Sequence, residues 1–189
     1  SVRKSNLESE SVIELFSIGT ELTLGQIQDT NAYWIAQQTF QLGGTIRRIS
    51  MLRDEFDEMK EAIQGSIERR QTGLIITTGG LGPTPDDMTV EMIAEMMGKD
   101  VIVDQATIQS YMERRQLRDR SEVSEALIKM ATVPETATVF QNPVGWAPCI
   151  SVVVKQSTLM MMPGPPREMQ AVFEAYIAPI ISERFSAAG

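Results

Sequence analysis

Thr77-Thr78-Gly79-Gly80-Leu81-Gly82-Pro83-Thr84-Pro85-Asp86-Asp87-Met88-Thr89 decides how this chain is read. Before it stands Gly73-Leu74-Ile75-Ile76, a short apolar run that reads as a buried strand. After it, Val90, Ile93, Met96 and Met97 recur at helical spacing, and Gly98 is placed to close that helix. The stretch is therefore a strand, a glycine-rich turn and a helix start, a geometry that offers backbone N–H groups and a positive dipole end to an anion. Asp86 and Asp87 would repel that anion unless a divalent cation lay between them. The plainer alternative is that the glycines only turn the chain, Asp87 caps the helix and Asp86 faces solvent. The stretch is neither a Walker A loop, since no Gly-Lys-Ser/Thr follows, nor the dinucleotide GxGxxG.

Outward from this turn the chain repeats one pattern. Val12 to Gly19 reads as a strand, Asp29 or Thr30 as the cap of a helix with Ala32, Ile35, Ala36, Thr39 and Leu42 inward, and Gly43-Gly44 as its end. Thr45 to Leu52 reads as a second strand. Asp54 is expected to open a helix with Phe56, Met59, Ile63 and Ile67 inward. Strands alternating with helices predict an α/β fold in three layers, α/β/α, around a mostly parallel sheet. Ligands of such sheets bind beyond the carboxyl ends of the strands. The loops at Gly19–Gly25, Arg53-Asp54 and Gly79–Asp87 all follow strands, so Glu21, Asp54, Asp86 and Asp87 are expected to converge at one edge.

The second half is less regular. Val101–Val103 reads as a short strand, and Gln105 to Leu117 as a helix carrying Ile108, Tyr111 and Met112. Arg114, Arg115, Arg118 and Arg120 form a basic cluster, read first as a solvated helix end and alternatively as a lid that meets phosphates. Glu122 to Ala131 looks helical, with Lys129 beside its apolar side. Asn142 to Pro148 is a shaped proline–glycine loop. Ile150–Val154 and Thr158–Met162 read as a hairpin, followed by a second strand-to-helix turn at Pro163-Gly164-Pro165-Pro166. Pro179 predicts a kink or break near Ala178 in the last helix. The methionines fall on buried periodicities and read as core filler.

Composition narrows the chemistry. The chain has 189 residues, 42% of them hydrophobic, and a net charge of −8, which argues against general affinity for nucleic acid. It has no histidine, so Ser-His-Asp and Cys-His catalysis and His-ligated zinc are impossible within it. Any acid–base work falls to Asp, Glu, Lys, Tyr or a metal-bound water. Cys149 is the single cysteine, so no intrachain disulfide forms, and a reducing, cytoplasmic compartment is the simpler expectation. No apolar run approaches transmembrane length. Residues 1–11 read as a flexible tail and 12–186 as a single domain.

Four motifs in one order carry a family resemblance. They are Gly19-Thr20-Glu21-Leu22 with Gly25 and Thr30-Asn31; Thr77 to Thr89; Asn142-Pro143-Val144-Gly145 with Ala147-Pro148; and Pro163 to Pro166 with Glu168-Met169. Together they resemble the amino-terminal domain of the competence-damage-inducible CinA family, which shares the molybdopterin-binding fold of MogA/MoaB-type proteins. The resemblance runs from about Ile13 to about Phe185 and implies a three-layer α/β/α fold. It implies a pterin or nucleotide ligand with phosphate, and in CinA-like domains a metal-dependent pyrophosphatase acting on ADP-ribose or a similar dinucleotide such as FAD. In the MogA-like branch it implies binding or adenylylation of molybdopterin; a non-catalytic module that kept the pocket is the third option.

By the same resemblance Thr78, Gly79, Gly80, Leu81, Gly82, Thr84, Asn142, Gly145, Pro163 and Gly164 would line the ligand. Asp87, Asp86 and Lys129 would serve the chemistry, and Asp86, Asp87 and Glu21 would hold a divalent ion (Mg²⁺, Mn²⁺ or Co²⁺), with a monovalent cation as an optional companion. Asp54, Thr20, Asn31 and Trp146 are secondary candidates. The resemblance also implies a homo-oligomer, dimer or trimer. Trp146 stands where the family normally has Thr, and Cys149 where it has Gly; Met130 and Arg167 also depart from its pattern. Trp146 is expected either to stack on a ligand ring or to fill the pocket. The chain ends before the second, amidohydrolase domain of CinA, so that activity is not expected.

Overall fold

A computed structural model describes residues 12–25 and 29–186; the expected tail, residues 1–11, lies outside the described residues. Six strands form one sheet in the order β2-β1-β3-β8-β7-β6. Strands β1 (Ile13–Ile18), β2 (Ile46–Leu52), β3 (Leu74–Thr78) and β8 (Ser157–Met162) run parallel. The expected hairpin is present: β7 (Cys149–Val154) is antiparallel to β8, and β6 (Thr138–Phe140) pairs antiparallel with β7. Strands β4 (Val101–Val103) and β5 (Thr132–Pro134) form a separate two-stranded ribbon.

Alternation along the central strands builds the layers. Phe16, Ile18, Ile75, Leu159 and Met161 point to one side, against Met59, Ile63 and Ile67 of α3 (Phe56–Glu68) and Met92 and Ile93 of α4 (Thr89–Met97). Ile13, Leu15, Leu74, Ile76, Met160 and Met162 point to the other. They meet Ala32 and Ile35 of α2 (Thr30–Gln41), Met169 and Val172 of α7 (Pro166–Val172), and Ile181 of α8 (Ala178–Ser186). A fully buried side chain of this size contributes about 1.5–3 kcal/mol. The three-layer α/β/α arrangement with a mostly parallel sheet thus follows from the sequence pattern. Methionines 59, 92, 160, 161, 162 and 169 are fully buried and act as core filler.

A smaller cluster of Ile108, Tyr111, Val123, Leu127 and Ala131 joins α5 (Gln105–Arg115) to α6 (Glu125–Met130). This pair stands beside the sheet and brings Trp146 and Met130 to its carboxyl edge.

Two local expectations need correction and a third needs refining. Asp54 does not open α3, whose cap is Glu55; Asp54 turns instead to Thr20 on the short helix α1 (Thr20–Thr23) and accepts its N–H at 3.1 Å. Asp87 does not cap α4, because the cap position is Met88 and no side chain bonds there. Of the kink or break expected near Ala178, the break is absent and the irregularity is a π-helical turn that ends there. A π-helical turn at Phe173–Ile177 stands between α7 and α8 and absorbs the missing donor, so the chain continues as helix through Ser186. No helix among the described residues is long and apolar enough to cross a membrane.

Candidate functional site

The glycine turn sits at the carboxyl ends of β1, β3 and β8, at one wall of a cleft of about 660 Å³. Gly79 and Gly80 both take positive φ, 103° and 74°. A Cβ on Gly79 would run into the carbonyl oxygen of Ile18, and one on Gly80 into Oγ1 of Thr89, so only glycine fits either place. The turn is pinned at both ends: Gly79 N–H donates to Met162 O at 3.1 Å, and Thr89 N–H donates to Gly80 O at 3.3 Å.

Of the expected ligand-lining residues, Thr78, Gly79, Gly80, Leu81, Gly82, Pro163 and Gly164 line the cleft, and Asn31 and Trp146 join them. Thr78 and Asn31 have their polar groups engaged in joining loops. Thr78 Oγ1 donates to Pro163 O at 3.1 Å, and Asn31 Nδ2 donates to Gly164 O at 2.7 Å. Thr84, Asn142 and Gly145 do not line the cleft. Asn142 is buried; its Oδ1 accepts from Val144 and Gly145 N–H at 3.0 and 2.7 Å, and its Nδ2 donates to Ala147 O and Glu168 Oε1, both at 2.9 Å. Asn142 therefore shapes the loop that presents Trp146 and steadies Glu168, and both of these face the cleft.

The carboxylates gather only in part. Glu21, Asp54 and Asp87 line the cleft, while Asp86 is exposed outside it. Asp87 Oδ2 is already occupied, accepting from Thr84 N–H at 3.0 Å and Thr84 Oγ1 at 2.7 Å. Thr20 is paired with Asp54 in both directions, since its Oγ1 accepts the Asp54 N–H at 3.1 Å. Burial pushes the Asp54 carboxyl above its ordinary range, the charges of Glu21, Asp87 and Asp86 add to the rise, and the Thr20 bond opposes it. These acids share one negative field without forming a cage. No three acidic or cysteine side chains among the described residues come together as a metal site, so the expected Asp86–Asp87–Glu21 cage is not built by the protein alone.

Lys129 also stands differently from its expected role. Its Nζ donates to the backbone carbonyl of Asp87 at 2.7 Å and to that of Thr84. It clamps the loop between those residues from α6 and is not aimed at the cleft; it lines a smaller neighbouring cavity with Gly80, Gly82 and Asp87.

The basic cluster divides. Arg114 lies 4.0 Å and Arg115 4.9 Å from the Trp146 ring centre, while Arg120 Nη1 donates to Gln105 Oε1 at 2.7 Å. Tyr111 meets Trp146 edge-on at 5.4 Å and donates its hydroxyl to Trp146 O at 2.5 Å; burial pushes that hydroxyl's pKa up. Trp146 is thus held on three sides as part of the cleft wall. Cys149 is elsewhere, buried in the core on β7, its thiol pushed up to about 12 by burial.

Glu168 and Ser17 were not among the expected site residues, yet both line the cleft. Glu168 was legible only as an acidic residue in the first turn of a helix. Ser17 lies within a fully buried strand with no outward signal, yet the residue borders the cleft, with its hydroxyl buried and without a hydrogen-bond partner. A buried orphan hydroxyl is costly unless a ligand or water answers it.

Residues 14–183 match the family described as "Probable molybdopterin binding domain". The chain belongs to that family. Within it, the chain is similar to CinA proteins. A protein of Alkaliphilus oremlandii that carries the name competence-damage inducible protein is 38% identical over 173 residues, 90% of this chain and 40% of that one. A protein of Pyrobaculum calidifontis is 34% identical over 170 residues, 90% of this chain and 64% of that one. The chain therefore spans less than two thirds of the length of these relatives. The crystal structure of CinA from Thermoplasma acidophilum, whose function is given as unknown, superposes with a TM-score of 0.79 at 30% identity, covering 90% of this chain and 98% of that one. MoaB from Thermus thermophilus, a molybdopterin biosynthesis enzyme, shares the fold with a TM-score of 0.59 at 17% identity, covering 90% and 96%. The CinA-type molybdopterin-binding domain accordingly names the fold and the lineage of this chain.

Proposed function

We propose that the cleft binds a phosphorylated, ring-bearing small molecule of the molybdopterin class. The observation that carries this reading is the pinned Gly79-Gly80 turn, which walls a cleft that Trp146 also lines. Gly80, Leu81 and Gly82 line the cleft between a strand and a helix, and the backbone N–H groups of such a turn suit an anion. Trp146, Leu81, Met130 and Pro163 offer an apolar wall to a flat ring, and a cleft of about 660 Å³ suits a ligand of that size. Family membership supports the same ligand class. The reading carries with it a cytoplasmic site of action and a homo-oligomer.

A second reading, metal-dependent hydrolysis of a nucleotide pyrophosphate bond, draws on one observation, the presence of Glu21, Asp54 and Asp87 along the cleft wall. The side chains do not form a metal cage, so no step is derived through an ion.

Calorimetric titration with molybdopterin, with and without ATP and Mg²⁺, tests the first reading. Saturable binding, weakened at least about tenfold by Trp146→Ala, is expected. Absence of binding overturns it. Metal-dependent AMP release from ADP-ribose, FAD or NAD that is lost in Asp87→Asn transfers the assignment to hydrolysis.

A further inference from the structure

At the amino ends of the strands, remote from the cleft, four arginines line one open cavity of about 460 Å³. Arg47 and Arg48 come from β2, Arg69 and Arg70 from the end of α3, and Val12 and Glu14 complete the lining. In a chain of net charge −8 this is a local excess of positive charge: four guanidiniums against one carboxylate, a difference of +3.

Glu14 organises the cavity. Its side chain is 1% exposed. It accepts from Ser66 Oγ at 2.5 Å, from Thr72 Oγ1, and from Arg70 Nε at 3.0 Å, with Arg48 Nε 3.9 Å away. Burial alone would raise its pKa, yet Arg70 and the two hydroxyls outweigh that and hold it below the ordinary range. So Glu14 remains an anion and fixes Arg70 through Nε alone. Among the described residues, the terminal nitrogens of Arg70 and Arg48, and the whole guanidiniums of Arg47 and Arg69, have no acceptor. Four such forks brought close repel one another and match the oxygens of phosphate groups in pairs.

We propose that this cavity is a second ligand site, one that takes a compact polyphosphate such as inorganic pyrophosphate. No aromatic side chain lines it, so it offers nothing to a base or a pterin ring. Its charge of about +3 answers a diphosphate better than a monoanion. The proposal is independent of the reading given for the cleft, which lies at the opposite ends of the same strands.

Calorimetry with inorganic pyrophosphate on the full chain, at low and high salt, is the test. Binding should weaken with salt and fall at least about tenfold in R47Q/R69Q. Both residues are exposed, so the variant should unfold at the wild-type denaturant midpoint, and its affinity for any cleft ligand should be unchanged. No pyrophosphate heat overturns the proposal. Heat that R47Q/R69Q leaves intact places the anion elsewhere, including the cleft turn, and also overturns it.

Discussion

The guanidinium carbon of Arg114 sits 4.0 Å from the ring centre of Trp146, and Nη1 of the same arginine donates a 2.6 Å hydrogen bond to the carbonyl of Gly145, one residue earlier. Helix α5 thereby holds the 142–148 loop by a stacked cation and a hydrogen bond at once. A tryptophan fixed this way keeps its place in the cleft wall without a ligand.

A double-mutant cycle over Arg114→Ala and Trp146→Ala should give a coupling energy of about 1–2 kcal/mol in urea unfolding, most of it retained in Trp146→Phe and little in Arg114→Lys. Additive single effects would mean that the stack is passive contact.

Gly145→Ala should be worse than its size suggests. A Cβ there would overlap the carboxyl group of Glu168, which Asn142 Nδ2 holds from the other side at 2.9 Å. The carboxylate must swing away, so the substitution should cost about 1–3 kcal/mol and reduce cleft-ligand affinity. In Gly145→Ala/Glu168→Ala the stability loss should largely recover while the affinity loss persists. Thermal melts and calorimetry on the two variants separate these effects.

Much of this was legible in the chain. The Gly79–Gly82 turn, the order of strands and helices, and the hairpin before Pro163 all follow from local periodicity and breaker residues, because those signals and the tertiary fold agree. What failed was polar bookkeeping. Asp54 and Asp87 look like helix caps or metal ligands, since a carboxylate before a helix fits either role. Thr20 and Thr84 claim them instead, one across the sheet edge and one within the loop. Lys129 and the Arg114–Arg115 pair gave no hint of their partners because the carbonyls and the ring that engage them lie 31 or more residues away along the chain. Ser17 gave no signal, and Glu168 stood in a motif without a role, since which face of a buried strand or helix meets a cleft depends on what packs across it.

Lys129→Met removes the donor that binds the carbonyls of Thr84 and Asp87 but keeps most of the side chain's apolar length. The loop should loosen locally, with amide exchange faster at residues 84–87 and a global stability loss of about 1–2 kcal/mol. Ligand affinity should fall severalfold. Hydrogen exchange unchanged at this loop, together with a large loss of turnover on a nucleotide substrate, would restore Lys129 to a direct chemical role.

Asp54 makes stability depend on pH in a set direction. Its carboxyl is raised above the ordinary value of 3.8 by burial first and then by Glu21, Asp87 and Asp86. Just above that value the folded chain keeps a proton that the unfolded chain has lost, so stability falls as pH rises through the window and levels off above the raised value. Glu14 acts the other way and lower: its pKa lies below 4.5, so its stabilising share is lost only as pH falls through that lowered value. Asp54→Asn keeps an oxygen for the Thr20 N–H and removes the charge. It should flatten the upper window, leave the acid limb in place, and gain stability at neutral pH relative to wild type, as read from urea midpoints between pH ~3 and ~7. An anionic ligand in the cleft adds negative charge beside Asp54, so binding in that window should take up protons. Calorimetry in two buffers of different ionisation heat should show the uptake in wild type and its loss in Asp54→Asn; uptake that survives the substitution would assign the proton to another group.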